Sequence, residues 1–312
     1  MKVFYHIDQL PAFNKAVITI GTFDGVHLGH LQIIDRLKKE AARIGGETVV
    51  ITFQPHPRKI VSTKPLQLIN SPAEKIALLD AAGIDNLVVV PFTPAFAEQS
   101  ATDYIQHFLI DHFHPHTIII GYDHQFGNNR AGNYHLLEQF AARHKFLLIE
   151  IPAHEIENST ISSTKIREAL LVGNCEEAAN FLGYAYFFEG RVVEGNKLGR
   201  TIGYPTANLL VDDEDKLIPG NGVYAVKAQL QTSGAISDTL NGMMNIGLRP
   251  TVDGTKRVIE VNLFSFDRDI YGDILRVTLQ HYLRTEQKFS GLDALKQQLA
   301  TDKQQALQLL TS

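Results

Sequence analysis

Apolar positions in the first half of the chain fall into two alternating patterns. Runs with little polar interruption, VITI (17–20), ETVVITF (47–53), NLVVV (86–90), TIIIG (117–121) and FLLIEI (146–151), have the length and β-branched content of buried strands. Between them apolar residues recur at helical spacing, as at Leu31, Ile34 and Leu37. Ser71 before Pro72 marks another helix start. Residues 101–110 and a segment ending near His144 supply two more helices. Buried strands alternating with helices predict a parallel sheet covered on both faces. Ligands of such sheets lie beyond the carboxyl ends of the strands.

The pattern changes near Gly183. A short helix over 176–182 is followed by alternating segments at 186–193, 222–230, 240–246, 258–266 and 274–282, punctuated by glycine and proline. That spacing predicts a small antiparallel barrel. Leu292, Leu295, Leu299 and Leu307 fit a terminal amphipathic helix packed on it. The expected organisation is therefore an α/β domain over 1–183 and a β-barrel domain over 184–312, reasonable for 312 residues.

Composition narrows the function classes. With 44% hydrophobic and 20% charged residues, each domain can build its own core. A net charge of -5 argues against a general nucleic-acid binder but leaves room for a local anion site. Cys175 is the only cysteine, so no intrachain disulfide can form. The opening MKVFYHIDQL has no long apolar core, and no run of 18 apolar residues follows. A soluble cytoplasmic protein with no membrane partner is expected.

The segment VITIGTFDGVHLGHLQIIDRL (17–37) carries the first candidate chemistry. A strand that turns directly into a helix aims the unpaired N–H groups of the helix start above the strand end, which makes an anion site. Gly25 and Gly29 remove side chains where a phosphate would approach, and His27 and His30 can both face it as donors. Two polar residues at an exposed helix end would be the plainer reading, and a metal site would need further ligands that the segment lacks. In ISSTKIR (161–167), Ser162 or Ser163 can cap a helix whose start is a second anion site, with Lys165 and Arg167 adding charge. Those residues alone fit an ordinary capped surface helix equally well. The run His112-Phe113-His114-Pro115-His116 leads straight into a strand and reads as a solvated connection, not a metal cluster.

The barrel has its own constellation. Gly190, Gly195, Gly199 and Gly203 surround Lys197 and Arg200 in a turn-rich flap, suited to folding over phosphates or simply to joining strands. Thr206 and Asn208 lie two apart on an extended backbone, so their oxygens share one side, a hard donor set that suits Mg²⁺ near phosphates. Glu260 alternates in face with Ile259 and Val261; alone, such a glutamate is usually just solvated. No G-x-x-x-x-G-K-[ST] occurs, so a kinase here would not be a P-loop enzyme.

GTFDGVHLGH and ISSTKIR resemble elements of the nucleotidylyltransferase superfamily, the former in the extended form found in the FMN adenylyltransferase module of bacterial FAD synthetases. GRTIGYPTANL, with RVIEVNL (257–263) and DIYG (269–272), resembles the riboflavin kinase signature. In that order they resemble the prokaryotic bifunctional riboflavin kinase/FMN adenylyltransferase family over nearly the whole chain. The resemblance implies two steps: riboflavin and ATP to FMN and ADP, then FMN and ATP to FAD and pyrophosphate. It implies catalytic roles for His27, His30 and Arg167 in the second step and for Glu260, as general base, in the first. Nucleotide contacts are implied for Gly21, Phe23, Gly25, Gly29, Asp123, Ser163, Thr164 and Lys165, and, in the barrel, for Gly195, Lys197, Gly199 and Arg200. Flavin contacts are implied for His56, Pro57, Asn128, Arg130 and Tyr271, and Mg²⁺ for Thr206 and Asn208. The implied partners are riboflavin, FMN, FAD and ATP, with no nucleic acid or membrane, in a monomer or weak oligomer.

Three residues depart from the family pattern: His124 and Gln125, where many relatives carry an aromatic and a basic residue, and Gln54, where an acidic residue often precedes the Pro-His-Pro. The competing readings are a single-activity nucleotidyltransferase with an inert flavin-binding barrel, and a non-catalytic flavin-binding protein. The expected catalytic side chains are all present, which argues against both.

Overall fold

The computed structural model describes residues 1–152, 161–195, 198–232, 235–251 and 254–311. The chain divides into two compact units, Met1–Ser162 and Ser163–Ser312.

In the first unit, strands β1 (Lys2–Phe4), β2 (Val17–Ile20), β3 (Thr48–Gln54), β4 (Asn86–Pro91), β5 (Thr117–Gly121) and β6 (Leu147–Ile151) form one sheet in the order β1-β4-β3-β2-β5-β6. Every pairing is parallel. Alternate residues feed two cores: Ile18, Ile51, Val88 and Ile118 pack with Phe108, Phe113 and Leu137, while Val17, Val50, Leu87 and Ile119 pack with Ile34, Leu37 and Leu79. Both faces are thus covered, as the apolar runs require. The strand order reverses at β2, which pairs with β3 on one side and β5 on the other. The turns leaving β3, β2 and β5 therefore emerge side by side at the switch point, where open α/β sheets bind ligands.

Two features of this unit differ from the pattern-based expectation. The edge strand β1 spans only three residues, too few to show a period. The helix expected over 101–110 is α-helical over Ala101–Asp103, π-helical over Tyr104–Ile110 and α-helical again over Asp111–Phe113.

The second unit opens with helices Ser163–Leu171 and Cys175–Leu182. Its strands are β7 (Phe187–Val193), β8 (Ala207–Leu210), β9 (Gly222–Thr232), β10 (Ala235–Ile236), β11 (Leu240–Thr251), β12 (Gly254–Leu263) and β13 (Ile274–Arg284). They run β10-β9-β11-β12-β8-β7-β13, all antiparallel, and β13 pairs back onto β9 to close a six-stranded barrel, with β10 a short appendage on β9. Closure leaves the barrel strands no open edge. Tyr224, Met244 and Val261 stand in register on one face of the wall and are fully buried. On the other face, Ala225 and Met243 pack with Ala306 and Leu310 of the terminal helix Leu292–Thr311.

The helices before Gly183, expected with the sheet, are grouped with the barrel. The Gly220 N–H donates to Leu170 O (2.9 Å), a Cβ on Gly173 would press on the Tyr282 ring at 2.6 Å, and Glu176 meets His281 at 3.2 Å.

Candidate active sites

The turn after β2 is built for close approach from above. Phe23, Gly25 and Val26 all have positive φ, which folds the backbone tightly between strand and helix. Asp24, the fourth residue of the motif, faces inward: its Oδ1 accepts the N–H of Ile69 (2.9 Å) and of Asn70 (3.4 Å). Lys75 Nζ donates to Thr22 O (2.9 Å), and Thr52 Oγ1 donates to the same carbonyl (3.1 Å). The turn is thereby pinned from two neighbouring segments.

His27 is the N-cap of helix Leu28–Ile44, with its Nδ1 accepting the N–H of His30 at 3.4 Å. A ring whose Nδ1 accepts carries its proton on Nε2. The His27 and His30 rings stack, with centroids 3.7 Å apart, and Phe23 backs His30 at 5.0 Å. Phe23 in turn fills the space over Gly21, where a Cβ would meet the ring at 3.1 Å. Burial holds the His30 imidazole well below its usual pKa, with His27 and Lys75 lowering it further. Its Nδ1 is buried without a hydrogen-bond partner among the described residues. The result is a stacked pair of imidazoles, one of them held neutral, at a helix start whose first-turn N–H groups, including those of Leu28 and the buried Gly29, have no partner within the helix.

The flanking turns carry the implied flavin residues. His56 is the N-cap of helix Pro57–Val61, its Nδ1 accepting Arg58 N–H at 3.1 Å, and it leaves β3 beside the β2 turn. After β5, Asp123, Asn128 and Arg130 are exposed. Their loop is fixed on the helix below it: Asn128 N–H donates to Gln99 O (2.8 Å), Phe126 stacks on Tyr104 (5.0 Å), and a Cβ on Gly127 would lie 2.7 Å from Ala101 Cα. His124 sits in this loop near Phe126, pushed down to about 4 by burial, against the opposing pull of Asp123. Ser163, Thr164, Lys165 and Arg167 open the first helix of the second unit.

In the barrel, β12 and β8 align Glu260 directly opposite Asn208, and β12 and β11 align it opposite Asn245. Glu260, Asn245, Thr206 and Gly199 line a cavity of about 230 Å³ whose walls include Met243, Tyr204, Leu295 and Leu299. Arg249 Nη2 donates to Glu260 Oε2 at 2.5 Å, and Arg284 is paired with the buried Asp302 at 2.7 Å on the same cavity. The Thr206 and Asn208 donors fit a hard divalent cation, and the flap backbone lies against them. A Cβ on Gly195 would overlap the Asn208 amide, and one on Gly199 would overlap Tyr204 O. Arg200 and Tyr271 are exposed and do not line the cavity, and Lys197 lies outside the described residues. Among the described residues no group of three or more His, Cys, Asp or Glu could hold a metal, and His116 Nδ1 instead lies 2.9 Å from Thr117 Oγ1.

Both halves match family models: one described as FAD synthetase over residues 10–165, and one described as riboflavin kinase over residues 182–310. The bifunctional riboflavin kinase/FMN adenylyltransferase of Haemophilus influenzae is 39% identical, with 91% of each chain covered. The chain belongs to that family. Its Listeria monocytogenes relative of the same name is 38% identical over 95% of this chain and 93% of its own. The Escherichia coli K12 relative is 35% identical, with 96% and 93% covered. A solved chain described as a macrolide-efflux protein from Streptococcus pneumoniae superposes with a TM-score of 0.85 at 32% identity, covering 97% of both. In the present chain no helix among the described residues is long and apolar enough to cross a membrane.

Sequence reasoning missed three residues of these sites. Asp24 and Lys75 hold the turn after β2 from below, and Arg249 grips the carboxylate of Glu260. Asp24 was open to discovery, since it stands inside the motif; Lys75 and Arg249 act across 53 and 11 residues of chain and leave no local mark.

Proposed function

We infer that the chain makes FAD from riboflavin in two ATP-dependent steps at two separate sites. The observation that carries the reading is that Glu260, which lines a cavity in the barrel, stands directly across the ladder from Asn208, while a stacked imidazole pair stands at a helix start in the sheet unit.

In the first step a ribityl hydroxyl oxygen attacks the γ-phosphorus of ATP. Glu260 accepts the hydroxyl proton as the new P–O bond forms, and ADP departs. Mg²⁺, for which Thr206 and Asn208 supply oxygens, would neutralise phosphate charge when bound. The apolar wall of Met243, Tyr204, Leu295 and Leu299 suits a flavin ring and keeps water from the phosphoryl group.

In the second step an FMN phosphate oxygen attacks the α-phosphorus of a second ATP, and pyrophosphate departs. That nucleophile is already anionic, so the task is positioning and charge stabilisation, not proton removal. His27, His30 and the helix N–H groups can donate to phosphate oxygens, and a neutral His30 donates without the cost of a buried charge. Gly21, Gly25 and Gly29 leave room for the phosphates, and Asp123 is assigned to the nucleotide. Ser163, Thr164, Lys165 and Arg167 are assigned to the same ATP, and His56, Pro57, Asn128 and Arg130 to the flavin. In the kinase site Gly195, Lys197, Gly199 and Arg200 are assigned to ATP and Tyr271 to riboflavin. The functional boundary is placed at residue 183, and the enzyme is read as cytoplasmic, monomeric or weakly associating.

Product analysis after incubating the purified chain with riboflavin, ATP and Mg²⁺ tests the reading. FMN should appear first and FAD after it. FAD from added FMN, with riboflavin left unconverted, would mean a single activity and an inert barrel.

A further inference from the structure

Glu260 has a partner on the cavity wall that the two-step reading leaves unused. Arg249 Nη2 donates to Glu260 Oε2 at 2.5 Å, and both residues line the cavity. The ladder explains how the contact is reached. Arg249 stands opposite Lys256, so its side chain must run back along the strand to meet Glu260, whose own opposite number is Asn245. Residues 245, 247 and 249 alternate onto one face. The middle position is Gly247, which has no side chain to block the guanidinium, and the Glu286 carboxylate lies over it, where a Cβ would overlap.

Among the described residues Glu260 is held through Oε2, and Arg249 is the side chain that bonds it. Asn208 and Asn245 flank it in register on the neighbouring strands. The pair is partly shielded, with Glu260 at 17% and Arg249 at 36% side-chain exposure, so its geometry is better defined than that of a freely solvated pair. A base that takes a proton from a positioned hydroxyl must present one oxygen within hydrogen-bond reach and keep it there.

The geometry points to Arg249 as a positioning residue for the kinase step, which anchors Oε2 of Glu260 so that Oε1 is presented to the ribityl hydroxyl. This rests on the riboflavin kinase reading with Glu260 as base. Arg249 is not assigned a contact to flavin or nucleotide, and its effect passes through the carboxylate.

The test is steady-state FMN formation by the full chain carrying Arg249→Met, Arg249→Lys, Glu260→Gln or Arg249→Met with Glu260→Gln. Loss of the anchor lets the carboxylate drift, and misplacement of about 1 Å costs on the order of 10²-fold. Arg249→Met should therefore lower kcat by roughly 10- to 10²-fold while the KM for riboflavin stays within about threefold. Arg249→Lys should recover part of the loss, because it keeps the charge but not the planar fork. The double variant should be no slower than Glu260→Gln alone, since residues acting as one unit are non-additive. Riboflavin binding followed by fluorescence, together with the thermal melt of each variant, checks that its barrel is folded; FAD formation from added FMN should be unchanged throughout.

Near-normal kcat in Arg249→Met beside a crippled Glu260→Gln would overturn the proposal and leave the base intact. Full additivity in the double variant would also overturn it. A near-normal Glu260→Gln would instead remove the kinase base itself, a different failure.

Discussion

Asn208 and Glu260 are partners across the β8–β12 ladder, so one short strand pairing sets the spacing between the side chain proposed for the cation and the one proposed as base. The pairing covers only Glu260–Asn208 and Val261–Ala207. Its precision comes from the closed barrel around it, because β8 is also held by β7 on its other side.

The flap presses on this pair at Gly195. A methyl group there would overlap the Asn208 amide, which must then shift from its position. Gly195→Ala should lower FMN formation by about tenfold or more and raise the Mg²⁺ concentration needed for half-maximal rate. FAD formation from FMN should be unchanged. A titration of Mg²⁺ against FMN formation decides it, and an unaltered curve would separate Asn208 from the cation.

His124 makes the sheet unit sensitive to acid. Its imidazole is pushed down to about 4 by burial, below the roughly 6.5 of an unfolded histidine. Between those values the unfolded chain binds the extra proton, so stability is intact above about pH 6.5 and falls as pH drops toward 4. His30 is shifted in the same direction and adds to the slope. His124→Phe should remove its share, up to about 1.4 kcal/mol per pH unit, while fitting beside Phe126. Denaturant midpoints across this range would show wild type losing stability more steeply than the variant as pH falls. Parallel lines would refute it.

The helices Ser163–Leu171 and Cys175–Leu182 bury Ile166, Leu170, Ala178 and Leu182 in the unit that contains the barrel. Each large apolar side chain so buried is worth about 1.5–3 kcal/mol. A fragment starting at Ser163 should thus melt cooperatively at a clearly higher temperature than one starting at Gly183. Equal melting temperatures would mean that these helices add nothing to the barrel.

Much of this was legible in the sequence because it depends on local order. The five apolar runs became β2 to β6, and Ser71, Pro72 and Glu74 close a full capping box. What escaped depends on remote partners or short length. β1 and β8 have three and four residues, too few for a period to show. Asp24 looks like any turn aspartate until Ile69 and Asn70 are folded against it. The attachment of the two helices to the barrel turns on Gly173 fitting against Tyr282, a contact no pattern along the chain records. Alternation placed Glu260 on the correct face, yet said nothing of Arg249, whose path runs past the side-chain-free Gly247.

The central claim is that two independent sites carry two reactions, and product partition tests it most directly. Glu260→Gln keeps the size of the side chain but cannot take a proton, so FMN formation should fall by about 10²- to 10⁴-fold while FAD formation from added FMN persists. His27→Ala with His30→Ala should do the reverse, with riboflavin converted to FMN that accumulates. Chromatography of the flavins made by each variant from riboflavin and from FMN reads both outcomes at once. Loss of FMN formation from riboflavin together with loss of FAD formation from added FMN in the same variant, with circular dichroism unchanged, would contradict the account.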